Sequence, residues 1–279
     1  MGAPPYAELL SFFIQIAEGR ITMIHITRLQ IEEMPTIRMR RLYVSLPYDY
    51  HRSQKRYPVL YMFDGQNVFY DDHATFGKSW GMKEYLELTR VGLIVVAIES
   101  NPEGNRRLHE YSPFRWELED AAMEEIGEIT PMGKVTMDWI TGTLKKEMDA
   151  KYRTLSDRDH TYIAGSSMGG LMALYAGIKY NDIFSGAAAV SPSFEVAPKA
   201  VMRMVKGAKD LKPLRLYMDL GTEEFEDHSE PYSEMFETAG VLSEKGAVVE
   251  ARMIEGAKHS EAYWEERIPE FINFITEKE

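Results

Sequence analysis

The chain has 279 residues, 44% of them apolar and 27% charged, with 16 Tyr, 12 Phe and 4 Trp; it is long enough for one domain with a substantial core and too aromatic for a disordered polymer. Its 32 basic residues against 44 acidic ones leave a net charge of -12, which excludes the basic face that a nucleic-acid partner requires. Cysteine is absent, which removes disulfides, thiolate metal sites and thiol nucleophiles and points to a reducing, cytoplasmic setting.

Leu9 to Ile16 is an apolar run, but Ser11 and Gln15 interrupt it at helical spacing. No Lys or Arg precedes it, and no small-residue cleavage site follows before Glu18-Gly19-Arg20. Residues 1–22 therefore read as an appended amphipathic segment and not a signal peptide, leaving a single domain over 23–279. No stretch approaches the ~20 apolar residues of a membrane helix, so no membrane partner is expected.

Met23 to Leu29 and Arg38 to Leu46 alternate with period two, as a half-exposed antiparallel hairpin would. Continuous apolar runs follow at Pro58–Phe63, Leu93–Ile98, Thr161–Ala164, Ala187–Val190, Leu214–Met218 and Val248–Ile254. Each stops at Gly or polar residues, so these runs are expected to be central parallel strands buried on both faces. Helical patterns lie between or after them at Val135–Met148, Met168–Ile178, Tyr232–Lys245 and Tyr263–Ile275. The alternation predicts an α/β fold with a mostly parallel open sheet and helices on both sides. Ligands on such sheets bind at the carboxyl ends of the strands. The Glu-rich stretch 101–134 fits neither period and is expected to fold over that end as a lid-like insertion.

The sharpest motif is Gly165-Ser166-Ser167-Met168-Gly169-Gly170, a G-x-S-x-G placed directly after a strand pattern and before a helix pattern. A nucleophilic serine there projects from a tight turn whose glycines give it room, and the helix N-terminus supplies N–H groups for a developing oxyanion. Ser167 is the expected nucleophile, and Ser166 points away in that register. Its base should follow in chain order at a strand end. His259 satisfies this in Glu255-Gly256-Ala257-Lys258-His259-Ser260. His228 lies in an acidic stretch, and His160 precedes a strand, at the far end of the sheet. The acid is expected after the strand that ends near Met218, where Asp219, Glu223, Glu224, Glu226 and Asp227 all stand. Adjacent Glu223 and Glu224 would face opposite ways in an extended loop, so only one of them can meet the imidazole. The backbone N–H groups of Gln66 and Met168 are the candidates for the oxyanion hole. Phe69, Trp80, Phe194 and Trp264 are candidates to line a substrate pocket. No metal-ligand spacing or phosphate loop is present, and neither metal nor cofactor is expected.

Several spaced motifs carry a resemblance. Arg56-Tyr57-Pro58-Val59-Leu60-Tyr61-Met62 leads into Asp64-Gly65-Gln66-Asn67-Val68-Phe69, followed by Arg107-Leu108-His109-Glu110-Tyr111-Ser112-Pro113 and the serine turn. Ser191-Pro192-Ser193-Phe194, Gly221-Thr222-Glu223-Glu224 and His259-Ser260-Glu261-Ala262-Tyr263-Trp264 come after. In this order they resemble the esterase family that contains enterochelin-esterase-like and feruloyl-esterase-like α/β-hydrolases, relatives of esterase D. The resemblance runs from about Arg38 to Ile275. It implies an eight-stranded α/β-hydrolase sheet and a cofactor-free serine triad, with Ser167 matching the family nucleophile and His259 the base. The family acid sits three residues after the Gly of the G-T-x-acid turn, which is Glu224, where Asp is common. The family spans siderophore, feruloyl and acetyl esters, thioesters and acyl transfer, so the resemblance implies hydrolysis of a small-molecule carboxylic ester without fixing which. The stretch 101–134, acidic and without an exposed apolar lid pattern, predicts short or compact acyl groups over long-chain lipids. The rival readings are acyl transfer on the same triad and a non-catalytic binding protein of the same fold. Self-association as a homo-oligomer is left open.

Overall fold

A computed structural model describes residues 23–34, 39–209, 211–225 and 229–277. Residues 1–22, Arg38 and the stretch Glu226-Asp227-His228 lie outside the described residues. The strands are β1 (Met23–Gln30), β2 (Met39–Leu46), β3 (Val59–Met62), β4 (Ile94–Ile98), β5 (Thr161–Ser167), β6 (Gly186–Pro192), β7 (Arg215–Gly221) and β8 (Val248–Ile254). They form one eight-stranded sheet in the order β1-β2-β4-β3-β5-β6-β7-β8. β1 pairs antiparallel with β2, and β2 antiparallel with β4; every other neighbour is parallel.

The helices are α1 (Met82–Thr89), α2 (Arg106–Glu110), α3 (Asp120–Ile126), α4 (Gly133–Trp139), α5 (Lys145–Lys151), α6 (Met168–Lys179), α7 (Pro198–Gly207), α8 (Glu230–Glu244), α9 (Glu261–Glu265) and α10 (Ile268–Thr276). The strand period of two divides the core into two layers. Ile94, Val96 and Ile98 of β4 pack on one side with α4 to α8. Val95 and Ala97 pack on the other with Met82 of α1 and Phe271 of α10. α6 is buried on every side from Met168 to Ile178, which is why its sequence is apolar all round.

Four expectations are corrected. β8 is an edge strand and not a central one; Glu250 and Arg252 break its apolar run, and one of its sides is unpaired among the described residues. The helix expected over Val135–Met148 extends from Gly133 to Lys151 through a π-helical turn at Ile140–Leu144. The helix expected over Tyr263–Ile275 is two. Pro269 fits only the first turn of α10, because it has no N–H to donate further in. The break between them turns Arg267 into the core, where it is 2% exposed. Finally, α1 and α7 have no counterpart among the expected helices. The stretch 101–134 carries α2 and α3, and Asn101, Pro102, Gly104 and Arg107 line a cavity at the carboxyl ends of the strands.

Candidate active site

Ser167 closes β5 and caps α6 with φ 58° and ψ -126°. An L-residue adopts such a conformation at a cost of roughly 1–3 kcal/mol, and such strain concentrates at functional sites. The turn is possible because residue 165 is glycine: a Cβ there would stand 2.6 Å from the Gly169 carbonyl oxygen. Ser167 lines a cavity of about 690 Å³ together with Asp64, Arg107, His259 and Trp264; Ser166, expected to point away, borders the same cavity. Its Oγ lies 3.4 Å from the Ser193 Oγ. The imidazole of His259 shares the cavity without a hydrogen bond to Ser167 among the described residues. Contacts of this kind commonly tighten only around substrate.

His259 is carried by the loop after β8, and Glu224 by the loop after β7. Gly221 allows the two loops to touch, because a Cβ there would meet the Ala257 carbonyl oxygen at 2.2 Å. His259 Nδ1 is 2.9 Å from Glu224 Oε2, and the Glu224 side chain is fully buried, whereas that of His259 is 38% exposed. The other carboxylate oxygen of Glu224 accepts from the Gly221 N–H at 2.7 Å and the Ser191 hydroxyl at 2.6 Å. Burial raises the Glu224 pKa, but the hydrogen bonds from His259, Ser191 and Gly221 outweigh it, so the carboxyl sits below its ordinary range. Glu223 points away, exposed, 3.5 Å from Lys258.

The direction of the Ser191 hydroxyl follows by counting donors. Its oxygen receives Trp264 Nε1–H and Arg267 Nη1–H, each at 2.9 Å. Both are obligate donors, so the single Ser191 proton is left for Glu224. Arg267 also donates to Asp219 at 2.9 Å, and its Nη2 lies 3.7 Å from Glu224. Asp219 accepts further from Tyr217 O–H at 2.8 Å and Ser191 N–H at 3.1 Å. Despite these donors, complete burial pushes its pKa up to about 6. Asp219 thus belongs to β7 and to a buried pair behind Glu224, not to the imidazole.

On the opposite wall, Asp64 begins the turn Gly65–Asn67 in a left-handed conformation, φ 54°. Arg107 grips its carboxylate through two hydrogen bonds of 2.7 Å, and the Asp64 backbone N–H donates to the Tyr111 hydroxyl oxygen at 3.1 Å. The Gln66 side chain clasps Ser100 through both its amide atoms, at 3.0 and 3.1 Å. Asn67 donates to Glu261 at 3.0 Å, whose pKa burial raises. The N–H bonds that close this turn come from Asn67 and Val68, leaving that of Gln66 outside the turn's own bonding. Met168, as the first residue of α6, has no intrahelical acceptor for its N–H.

The pocket expectations divide. Trp264 lines the cavity, its ring edge-on to His259 at 5.0 Å. Phe69, Trp80 and Phe194 do not: they are 2%, 2% and 0% exposed and belong to the two core layers. Large aromatics beside strand ends fill the space under the loops before any ligand can use it. The Trp80 ring packs on that of Trp264, centroids 5.7 Å apart, and its backbone N–H donates to the Asn67 carbonyl at 2.8 Å. Sequence reasoning gave no role to Ser191, Asp219–Arg267 or Arg107–Asp64. Arg107 and Ser191 did stand in the resemblance motifs. Nothing local marks Arg267, which sits 48 residues from the aspartate it meets.

Comparison with known proteins places the chain in a family. The family described as "Putative esterase" matches residues 35–275. Protein YbbA of Bacillus subtilis (strain 168) is 24% identical over 245 residues, covering 85% of this chain and 91% of that one. The structure of an IroE-like serine hydrolase from Shewanella oneidensis superposes with TM-score 0.71 at 19% identity, over 91% of this chain and 79% of that one. A ferulic acid esterase superposes with TM-score 0.67 at 18% identity, over 92% and 98%. The chain belongs to this esterase family, on the α/β-hydrolase fold, and is an ester hydrolase.

Proposed function

We propose that the protein is a serine carboxylesterase acting on short or compact acyl esters through an acyl-enzyme. The observation that carries this reading is the 2.9 Å contact between the buried Glu224 carboxylate and the part-exposed imidazole of His259, which shares a cavity with a serine held at φ 58°. In the reaction, Ser167 Oγ attacks the ester carbonyl and its proton passes to His259 Nε2. Glu224, held ionised by its donors, fixes the imidazole with Nδ1–H toward itself and stabilises the cation. The N–H groups of Gln66 and Met168 donate hydrogen bonds to the carbonyl oxygen as negative charge develops on it. His259 returns the proton to the leaving alcohol, then takes one from the water that attacks the acyl-enzyme and passes it to Ser167 Oγ as the carboxylic acid departs.

The partial exposure of His259 favours water over a second alcohol as acceptor, so hydrolysis is preferred to acyl transfer. The cavity of about 690 Å³ and its polar wall of Asp64, Arg107 and Glu261 favour compact groups over long chains. A fluorophosphonate probe is expected to label the wild-type protein at Ser167, and Ser167→Ala is expected to lose label and about 10⁴ to 10⁶ of kcat with folding intact. On a panel of esters, kcat/KM should be higher for acetate and butyrate than for emulsified long-chain triglycerides. Labelling at Ser166, or full activity in Ser167→Ala, would overturn the assignment.

A further inference from the structure

β8 is one rim of the sheet and, among the described residues, pairs only with β7. Val248 N–H donates to the Leu214 carbonyl at 2.8 Å, and the Ile254 carbonyl accepts from Thr222 N–H at 2.9 Å. The even-numbered residues of β8 therefore turn their backbone groups toward β7. Because these groups alternate along a strand, Val249, Ala251 and Met253 present theirs outward. Among the described residues no strand meets them.

The side chains on this rim are self-complementary. Glu250 and Arg252 flank Ala251 symmetrically, with Val248 and Val249 on one side and Met253 and Ile254 on the other. Met253 is 49% and Val248 39% exposed, which is unusual for large apolar groups on an open edge. The opposite rim, β1, contains no acidic residue and offers no such match.

We propose that two copies of the chain associate through their β8 edges, antiparallel, about a two-fold axis at Ala251. Ala251 then faces its own copy in a hydrogen-bonded pair, as its outward amide requires, and Val249 pairs with the partner's Met253. About six ladder hydrogen bonds form across the axis. Glu250 falls opposite the partner's Arg252 at the positions that are not hydrogen-bonded, where side chains come closest. Val248 falls opposite the partner's Ile254. A register shifted by one residue would bring inward-facing amides to the axis and lose both the ladder and the charge pairing. The interface is isologous and covers both exposed rims at once.

Light scattering coupled to gel filtration of the full chain tests this. The wild type is expected at twice its 32.1 kDa chain mass. Ala251→Pro is expected to be monomeric yet folded and active as an esterase, because the amide that proline removes points away from β7. Arg252→Glu sets glutamate against glutamate at two symmetric positions and should weaken association about tenfold or more. Adding Glu250→Arg to it restores opposite charges and should restore the dimer, which keeps the test decisive even if Ala251→Pro fails to fold. A wild-type monomer at roughly 100 µM would overturn the proposal. So would a dimer indifferent to these variants, which would move the contact away from the β8 edge.

Discussion

Arg107 and Arg267 approach the cavity from opposite walls, and each grips an aspartate. Arg107 comes from α2, within the stretch 101–134, and forms two parallel bonds of 2.7 Å with Asp64. The pair is closed: one cation, one anion, and a turn held in place. Arg267 comes from the break before α10 and stands between two carboxylates, Asp219 at 2.9 Å and Glu224 at 3.7 Å, with Ser191 between them. There the charge is shared, and the two acids move in opposite directions, Asp219 up to about 6 and Glu224 below its ordinary value. The first pair sets the position of backbone donors. The second holds Asp219 and the Ser191 hydroxyl behind Glu224, the carboxylate on which the proposed proton transfer rests.

Replacing the acid should break this comparison hardest. Glu224→Gln is expected to lower kcat by about 10² to 10⁴ with little change in KM, since Ser167, the oxyanion donors and binding all remain. Glu223→Gln should stay within about twofold of wild type, because its carboxylate is solvated beside Lys258. The reverse outcome would move the triad acid by one residue.

A smaller effect is expected on the opposite wall. Arg107→Met leaves the Asp64 carboxylate buried and unpaired and frees the turn that carries Gln66, so kcat should fall about 10- to 100-fold. Adding Asp64→Asn removes the stranded charge and should recover part of the loss. Equal activity in the single and double variants would show that placement of the turn, and not the buried charge, is what Arg107 controls.

Ser191 sharpens the other side. It adopts φ 42°, so Ser191→Gly removes the hydroxyl while relieving the backbone. The variant should lose about three- to tenfold in kcat, with the acid limb of its pH–rate profile displaced, because Glu224 loses a donor that favours its ionised form. An unchanged profile alongside a lower rate would assign Ser191 a packing role only.

The smallest expected effect is on stability. Glu224 is lowered from 4.5 in the fold, so its ionisation favours the folded state above that value, and the contribution disappears as pH falls through the folded pKa. The difference in urea midpoint between wild type and Glu224→Gln should therefore shrink on acidification below about pH 4.5. A difference that stays constant from neutral pH into the acid range would show that Glu224 acts by shape and not by charge.

Much of this protein was legible before folding. The continuous runs of β3 to β7 and the turn Gly165 to Gly170 announce themselves because burial on both faces and a strained elbow each demand particular residues at adjacent positions. Ser167 and His259 follow from chain order and strand ends, and Glu224 follows from the resemblance. Local pattern could not separate an edge strand from a central one at β8, because the strand period does not record how many neighbours a strand has. Nor could it tell core aromatics from pocket aromatics, since Phe69, Trp80 and Phe194 look in sequence like Trp264 does. The network of Asp219, Ser191, Arg267 and Glu224 and the grip of Arg107 on Asp64 were decided by tertiary structure alone. They join side chains tens of residues apart, and only the docking of α2, α9 and α10 on the sheet removes the water that would otherwise satisfy each charge separately.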